Sequence, residues 1–508
     1  MTLAKSIVNK YEFDHNRLIH ILKNQAEILN LIGRNEEALK DVKNGLNIAR
    51  KFSDKKSEAD CLLQLSDIYG SVSKYEQMIS SVKESLLIYQ EISDRKGEAG
   101  SLDNIGYVHG SLGDYPKALE CYSKSLKIRE EIGDRRGQGG SLNNIGYVHG
   151  SLGDYPKALE YYSKSLKIRE ELGDRLGQGC SLNNIGSVHH RLGDYPKALE
   201  YYSKSLKIRE EIGDRLGQGC SLNNIGSVHA RLGEYPLALE YFSKSLEIQE
   251  EIGDRLGQGY CLNSIGYVHA RLGDYPKALE YYSKSLKIRE ELGDRSGQGY
   301  SLNNIGSVHD RLGDYPKALE YYSKSLKIRE EIGDRLGQGY SLNNIGSVHD
   351  RLGDYPKALE YYSKSLKIRE EIGDRSGQGD SLNNIAGLYL EQEEFASARE
   401  FLLRAEKIAN EIGEKEVLRR VYVSLGELIL AETAGRKAYS VERKAKTYAE
   451  TALKLAEELK SKSGKAEALL LQARIMVEQA SLPDTPLTPL NKGEFKEAGD
   501  KFKSAISI

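Results

Sequence analysis

The sequence repeats itself every forty residues over most of its 508 positions. The string SLNNIG begins at 141, 181, 221, 301 and 341, and GDYPKALE begins at 113, 153, 193, 273, 313 and 353. A period of this length is typical of arrays in which each unit cannot bury its apolar face alone and packs on its neighbours. We therefore expect one continuous body rather than the several globular domains that the length would otherwise suggest.

Each unit contains two amphipathic helical patterns, as residues 139–178 illustrate. In the first half, GSLNNIGYVHGSLG places its apolar residues at intervals of three and four, which is one helical stripe. Gly153 is suited to end this helix, and Asp154 is a good N-cap for the next one. These patterns predict an all-α chain of antiparallel helix pairs. The second helix carries its own stripe at Tyr155, Ala158, Leu159, Tyr162, Leu166 and Ile168.

Residues at a characteristic spacing link this unit to a known family: Leu142, Ile145, Gly146, Ala158, Tyr162 and Leu166. They resemble the tetratricopeptide repeat family, although His149, Ser165 and Glu170 depart from its usual residues. The forty-residue form is similar to the repeats of kinesin light chain, of the Pins/LGN-type adaptors and of bacterial signalling proteins. The resemblance implies a right-handed superhelical solenoid whose first helices line a concave groove.

The array divides by the similarity of its units. Residues 94–373 contain seven near-identical repeats, whereas residues 1–93 and 374–508 contain divergent helix pairs. A Pro-rich stretch at 481–494 cannot be helical and is predicted to be a loop within the last pair. We count twelve pairs in one continuous solenoid.

Composition bounds the partners and the compartment. Lys plus Arg (73) nearly balances Asp plus Glu (75), so no global field favours nucleic acid or an anionic membrane. The N-terminus lacks the apolar core of a signal peptide, and no apolar run approaches the roughly 20 residues of a membrane helix. The five cysteines are far apart and form no CxxC pair, which favours free thiols in a reducing compartment. We predict a cytoplasmic protein with neither a nucleic-acid nor a membrane partner.

The sequence suggests no catalytic, cofactor or metal site. The GDRLGQG strings lack the strand and the Gly-Lys-Ser/Thr element of a phosphate-binding loop, so they are interpreted as helix–helix turns. A histidine recurs once per repeat on the apolar stripe, and we interpret it as a core residue hydrogen-bonded between helices. The repeated histidines are His109, His149, His189, His229, His269, His309 and His349.

The places where near-identical repeats differ point to a binding face. Substitutions occur at the positions equivalent to Gly140, Tyr147, Gly150 and Ser151, which share one face of the first helix. In the long-repeat relatives, an asparagine on this face binds the backbone of an extended peptide. An amide can donate and accept without reading side chains, but these asparagines could instead only bridge neighbouring helices. The asparagines that match are Asn104, Asn144, Asn184, Asn224, Asn304, Asn344 and Asn384, and the row is interrupted at Ser264.

A row of arginines lies on the same face and makes the middle of the groove an acceptor for carboxylates. The alternative is that these arginines pair with acids of adjacent repeats. Nucleic-acid binding through this row is disfavoured by the near-neutral net charge of −2. The arginines are Arg191, Arg231, Arg271, Arg311 and Arg351.

We therefore predict a non-catalytic scaffold that binds an extended peptide or a partner protein, with acidic residues in the partner. The chain stops at Ile508 within a helical pattern and without a polar capping helix. The uncapped ends allow self-association. They also leave open the alternative that the array is the sensor region of a larger signalling enzyme or transcriptional regulator.

Overall fold

A computed structural model describes residues 15–72, 74–433, 439–459, 461–481 and 501. In this part of the chain we find 23 α-helices and no strand, so the all-α prediction is confirmed. The helices, numbered α1 to α23 in chain order, are His15–Leu31, Asn35–Lys51, Lys55–Ser71, Tyr75–Glu91, Arg95–Ser111, Tyr115–Glu131, Arg135–Ser151, Tyr155–Glu171, Arg175–Arg191, Tyr195–Glu211, Arg215–Arg231, Tyr235–Glu251, Arg255–Arg271, Tyr275–Leu292, Arg295–Arg311, Tyr315–Glu331, Arg335–Arg351, Tyr355–Ile372, Arg375–Glu391, Phe395–Ile412, Lys415–Thr433, Tyr439–Glu458 and Lys462–Ser481.

Odd-numbered helices are the first helices of the pairs, and even-numbered helices are the second. Pair 1 is α1 with α2, and pair 11 is α21 with α22. Helix α23 begins pair 12, close to the start expected at Ser463. The second helix of that pair and the Pro-rich loop of 481–494 lie outside the described residues, except for Ser481, which ends α23, and an isolated residue at 501.

Local signals define the ends of most helices in the near-identical repeats, as residues 139–178 illustrate. Gly153 follows α7 with a φ of 81°, a conformation that glycine adopts without steric cost. Asp154 then caps α8 by accepting a hydrogen bond from the backbone N–H of Lys157 (3.3 Å), and Pro156 lies in the first turn of that helix. Asp174 caps α9 in the same way, through the N–H of Gly177 (3.1 Å). The turn within a pair (intra-pair turn) and the turn between pairs (inter-pair turn) therefore both begin with a glycine and end with an aspartate.

The core of a pair is built around an aromatic ring, a glycine and a buried serine. The ring of Tyr162 packs against Gly146 where the two helices cross, and Ala158 is fully buried. Ser165, which stands where the family usually has alanine, is fully buried too. Its hydroxyl donates to the carbonyl oxygen of Gly139 (2.7 Å) and lies 3.1 Å from that of Ser181 in the next pair. This serine therefore links consecutive pairs inside the apolar core.

Most of the recurring histidines differ from the prediction in their partner, although His229 hydrogen-bonds the carboxylate of Glu234 at 2.6 Å. The ring of His149 does not hydrogen-bond across the helices but stacks on the ring of Tyr161 at a centroid distance of 5.4 Å. The ammonium group of Lys164 also lies over the ring of Tyr161, 5.4 Å from its centroid. Burial lowers the pKa of His149, while Asp154 opposes that shift. Imidazole stacked on tyrosine is a packing arrangement, and it recurs at six of the seven histidines, whereas the unit of His109 has Cys121 in place of the tyrosine.

A buried ionic cluster fixes the inter-pair turns that follow pairs 5, 7, 8 and 9. Arg289 in α14 is 1% exposed, and its guanidinium binds the carboxylate of Asp294 at 2.7 Å. Asp294 also caps α15 through the N–H of Gly297 (2.8 Å), and Gln298 donates to the carbonyl oxygen of Arg289 (3.2 Å). Removing one partner of such a buried pair leaves an uncompensated charge, which is strongly destabilising. The cluster thus sets the orientation of one pair on the next.

Successive turns of the superhelix touch. First helices of consecutive pairs pack closer to one another than second helices do, so the first helices form the inner wall. The backbone N–H of Arg335 in pair 9 donates to the carbonyl oxygen of Leu112 in pair 3 (3.3 Å). The side-chain amide of Asn35 in pair 1 donates to the carbonyl oxygen of Leu292 in pair 7 (3.2 Å). The intra-pair turns of pairs 1 and 3 therefore rest on pairs six positions further along, and one superhelical turn contains about six pairs.

We predict that Gly186→Ala lowers the stability of the array. A Cβ at this position would lie 2.8 Å from Cδ1 of Tyr202, whose ring is buried and cannot move away. Overpacking costs about 1–3 kcal/mol, which exceeds the roughly 0.5–1 kcal/mol that alanine contributes to helix formation. The measurement is the urea midpoint of unfolding.

The matched control is Gly100→Ala in α5, where a Cβ meets no atom within 4 Å. This variant should raise the midpoint, because only the helix-propensity term remains. Equal effects of the two substitutions would contradict the close approach of tyrosine and glycine.

Candidate binding surface on the first helices

The asparagines of the first helices form a hydrogen-bonded row along the inner wall. The Nδ2 of Asn184 in pair 5 donates to the Oδ1 of Asn143 in pair 4 at 3.0 Å. Both side chains are half-buried, so each keeps polar groups accessible. The same bond recurs from Asn224 to Asn183, Asn304 to Asn263, Asn344 to Asn303 and Asn384 to Asn343, at 2.9–3.1 Å.

The row is interrupted where the sequence predicts. At Ser264 the shorter side chain replaces the donor, and the buried Oδ1 of Asn223 has no hydrogen-bond partner among the described residues. The buried Oδ1 of Asn383 also has no partner among the described residues, and the position of its expected donor in the next pair is Ser424. Two positions therefore carry a buried acceptor that lacks its donor.

The N-terminal end of the row has different chemistry. Asn104 donates to Oδ1 of Asp67 (3.1 Å) rather than to an amide. Burial raises the pKa of Asp67 to about 6, and the hydrogen bond from Asn104 opposes that shift. The acceptor position that corresponds to Asn144 is occupied by Asp103 of the preceding pair, and its carboxylate binds the guanidinium of Arg129 at 2.7 Å.

The predicted arginine row is only partly paired. Arg351 binds the carboxylate of Asp310 in the preceding pair at 2.5 Å, as the alternative interpretation expected. Arg191 instead donates to the carbonyl oxygen of Gly150 (3.5 Å), and a hydrogen bond that Arg271 donates to Tyr235 raises the pKa of Arg271. Within the described ranges, Arg351 alone of the five predicted arginines forms an ion pair. The remaining members are Arg191, Arg231, Arg271 and Arg311.

Exposed tyrosines occupy several of the variable positions equivalent to Gly140 and Tyr147 that the sequence analysis noted. The side chain of Tyr260 is 53% exposed, but it points into the inner space of the superhelix. Loss of solvent there raises the pKa of Tyr260, and the nearby Tyr147 adds to the shift. Tyr147 belongs to pair 4 and Tyr260 to pair 7, so they approach each other from opposite sides of a superhelix with about six pairs per turn. The inner space is therefore narrow. The exposed tyrosines are Tyr107, Tyr147, Tyr260, Tyr300 and Tyr340.

Buried arginines of the second helices support some of these tyrosines. The guanidinium of Arg289 lies 4.4 Å from the ring centroid of Tyr260, and Arg329 and Arg369 lie under Tyr300 and Tyr340 at 4.7 and 5.0 Å. These arginines were missed in the sequence because KIRE occurs in nearly every repeat and alternates with exposed lysines and glutamates. The available signal was the tyrosine that stands 29 residues before each of them.

An acidic group lies where pair 4 meets pair 10. Gly153 of the intra-pair turn approaches Ser376 and Ile412, and Glu414 follows directly after that contact. Burial raises the pKa of Glu414 to about 7 and Asp380 adds to the shift, whereas a hydrogen bond from Ser376 and the charges of Arg420 and Arg191 oppose it. Arg420 itself is paired with Asp380. The carboxyl group thus lies at a junction between superhelical turns.

Two further properties bear on function. Among the residues that the structure describes, no group of three or more His, Cys, Asp or Glu side chains is placed to hold a metal ion. None of the described helices combines the length and the apolar character needed to cross a bilayer.

The sequence pattern of the tetratricopeptide repeat matches residues 99–132, 137–211, 217–291, 261–331, 297–371 and 338–411, which together cover more than half of the chain. The chain therefore belongs to the tetratricopeptide repeat family. The repeats of this family are helical, generally non-enzymatic scaffolds for protein interaction. No curated protein sequence matches the chain.

Several solved structures are similar in architecture at low sequence identity. A Rap protein in complex with Competence and Sporulation Factor is 17% identical, with 70% of this chain and 99% of that chain covered and a TM-score of 0.47. Yeast Tom70 is 14% identical over 89% and 96% of the two chains, with a TM-score of 0.44. Aspartyl phosphate phosphatase F from Bacillus subtilis is 17% identical over 68% and 94%, with a TM-score of 0.43. The family assignment itself is based on the repeat sequence.

We predict that Ser264→Asn stabilises the array by about 0.5–1.5 kcal/mol, the usual net value of one hydrogen bond. The new amide restores the donor for the buried Oδ1 of Asn223. Ser264→Ala is the control and should bring no gain, because it supplies no donor. Urea denaturation checks both variants, and an unchanged midpoint for Ser264→Asn would contradict the row as a structural unit.

We also predict a pH dependence that Glu414→Gln removes. The folded-state pKa of about 7 lies above the ordinary value of 4.5, so the folded chain binds more protons between these values. Stability therefore falls as pH rises through this window. The variant should equal the wild type at about pH 4.5 and exceed its thermal midpoint at about pH 8, where the wild-type carboxylate is charged.

Glu160→Gln is the control for this pH series. Glu160 pairs with Lys164 on the solvent face, where such pairs contribute little to stability. A stability gain at high pH in both variants would show that the effect does not belong to Glu414.

Proposed function

We propose that this chain is a peptide-binding scaffold whose inner wall holds an extended segment of a partner protein. The observation that carries the proposal is the asparagine row, in which an Asn–Asn hydrogen bond such as that from Asn184 to Asn143 recurs at repeat intervals on the concave side. Each amide of the row has two donors and two lone pairs. Asn184 spends one donor on Asn143, so its carbonyl oxygen and a second N–H are left for a ligand.

The width of the inner space favours an extended ligand. Neighbouring packed helices lie about 8–10 Å apart, so a ring of six first helices is about 18 Å across between opposite axes. Subtracting a helix diameter of about 10 Å leaves a space about 8 Å wide. An extended chain fits this space, whereas an α-helix of about 10–12 Å does not. The contribution of Tyr147 to the raised pKa of Tyr260 across the axis supports this narrowness.

The repeat spacing also suits an extended chain. A strand advances about 3.3 Å per residue, so three ligand residues span the distance between successive first helices. One amide per pair would then meet every third peptide unit. The tyrosine rings between the amides offer flat apolar surfaces with a polar edge.

Charge gives the partner its chemistry. Arg231 and Arg311 make no ion pair with any described residue, and Arg271 binds only a neutral tyrosine, so the middle of the wall is positive. Asp310 and Asp350 make the wall less positive further along, and Arg351 is already paired. We therefore propose a partner segment with carboxylates facing pairs 5 to 8.

The compartment belongs to the same proposal. All five cysteines are free thiols, with Cys61 and Cys261 buried. Free thiols suit a reducing environment, which supports a cytoplasmic scaffold.

The test uses the full chain and a displayed library of short unstructured peptides, from which the best binder is synthesised with a fluorescent label. Its dissociation constant is then measured for Asn184→Ala/Asn224→Ala. We expect about ten- to a hundredfold weaker binding, since each lost hydrogen bond contributes about 0.5–1.5 kcal/mol. A charge-reversed version of the peptide, with each acidic residue replaced by lysine, should bind still more weakly.

Lys164→Ala/Lys204→Ala is the matched control, because these side chains lie on the exposed face of the second helices. This variant should bind the peptide as the wild type does. Unchanged binding by the asparagine variant, or equal loss in the control, would refute the inner wall as the binding site.

A further inference from the structure

The contact between superhelical turns is a repeated apolar fit. Leu152, at the end of α7, packs against Gly373, where an added Cβ would lie 3.1 Å from its Cδ2. Ile412, at the end of α20, packs in turn against Gly153, with a corresponding distance of 3.4 Å. Leu112 meets Gly333 in the same way. Intra-pair turns of the early pairs therefore fit onto inter-pair turns of the later pairs, each supplying a branched side chain and a glycine.

This fit uses only one edge of each superhelical turn. Intra-pair turns of pairs 1 to 5 contact inter-pair turns of pairs 7 to 11. The inter-pair turns of the early pairs and the intra-pair turns of the later pairs thus remain uncovered within the described part of the chain. We name them the inter-pair edge, which comprises Ile132, Leu172 and Ile212, and the intra-pair edge, which comprises Leu272, Leu312 and Leu352.

Equivalent residues of different repeats differ in side-chain exposure, depending on whether another superhelical turn covers them. Among the residues that end second helices, Ile372, Ile412 and Leu459 are 5%, 5% and 3% exposed, whereas those of the inter-pair edge are 40%, 46% and 40% exposed. The residues of the intra-pair edge are 52%, 51% and 51% exposed. The glycines beside both edges are equally open, because an added Cβ would meet nothing within 4 Å at Gly133, Gly173, Gly213, Gly273, Gly313 or Gly353.

We propose that a second copy of this chain stacks on the first, with the inter-pair edge of one copy on the intra-pair edge of the other. The occupant is a second copy because the chain already forms this contact with itself, between pairs three and nine and between pairs four and ten. The near-identity of the repeats gives the uncovered edges the same branched side chains and glycines as the covered turns, with leucines on the intra-pair edge and leucine or isoleucine on the inter-pair edge. The association continues an interface that the fold has established.

The two edges are different surfaces, so the contact is heterologous and each stacked copy presents a further free edge. Association therefore propagates into linear oligomers rather than stopping at a closed dimer. The net charge of −2 offers little long-range repulsion against stacking.

The experiment is sedimentation velocity of the full chain over a wide concentration range, with Leu312→Glu/Leu352→Glu and Leu172→Glu/Ile212→Glu as edge variants. We expect the wild type to form species that grow with concentration, and each edge variant alone to stay monomeric. An equimolar mixture of the two variants should form dimers and nothing larger, because only one productive pair of edges remains.

Leu87→Glu/Leu403→Glu is the matched control, since these leucines are 66% and 48% exposed in the middle of second helices, away from both edges. It should associate as the wild type does, and circular dichroism should show the same helix content for all variants. A monomeric wild type at every concentration, edge variants that still oligomerise, or a mixture that stays monomeric would each overturn the proposal.

Discussion

The buried cluster at the inter-pair turns of the central repeats controls the shape of the array. Arg289, Asp294 and Gln298 join the end of one pair to the start of the next, and the aspartate also caps the following helix. A rotation fixed at this turn is repeated at every pair, so it accumulates into the superhelix. The number of pairs per turn, the width of the inner space and the contact between turns all follow from that local geometry.

The cluster tolerates some variation, which shows which part matters most. Gln249 replaces the arginine in pair 6, yet Gln258 still donates to its carbonyl oxygen at 3.2 Å. The Asp254 cap is also kept, through the N–H of Gly257 (3.0 Å). The backbone bonds and the aspartate cap therefore persist where the ionic contact is lost, and the array continues without a break through pair 6.

The inner wall combines two kinds of residue that serve different purposes. The asparagine row is structural in part, because its amides bond to one another from pair to pair. The same bonds hold the amides in one orientation, and pre-orientation reduces the entropy that a ligand must lose on binding. The tyrosines are supported from behind by buried arginines such as Arg329 under Tyr300. Under the proposed function, the scaffold and the binding surface would be built from the same side chains.

Many residues of the candidate site could be identified from the sequence, but the side chains with which they pair could not. Periodicity predicts that the asparagines share one face with the arginines and that the row is interrupted at Ser264, but the unsatisfied acceptor on Asn223 is known only from the structure. The pairing of Arg351 with Asp310 was one of two open alternatives, and only side-chain placement decides between them. The buried arginines were hidden because a helical repeat of charged residues looks alike whether its members face solvent or the neighbouring pair.

The sequence alone determined the helices, their caps and their pairing, since these depend on interactions within about four residues or between adjacent helices. Only the tertiary structure decided that the superhelix closes on itself, with Leu112 and Arg335 in contact over more than two hundred residues. The closure depends on a small rotation per pair summed over about six pairs. Identical residues such as Ile372 and Ile132 consequently differ in exposure, at 5% and 40%, because one meets the next superhelical turn and the other does not.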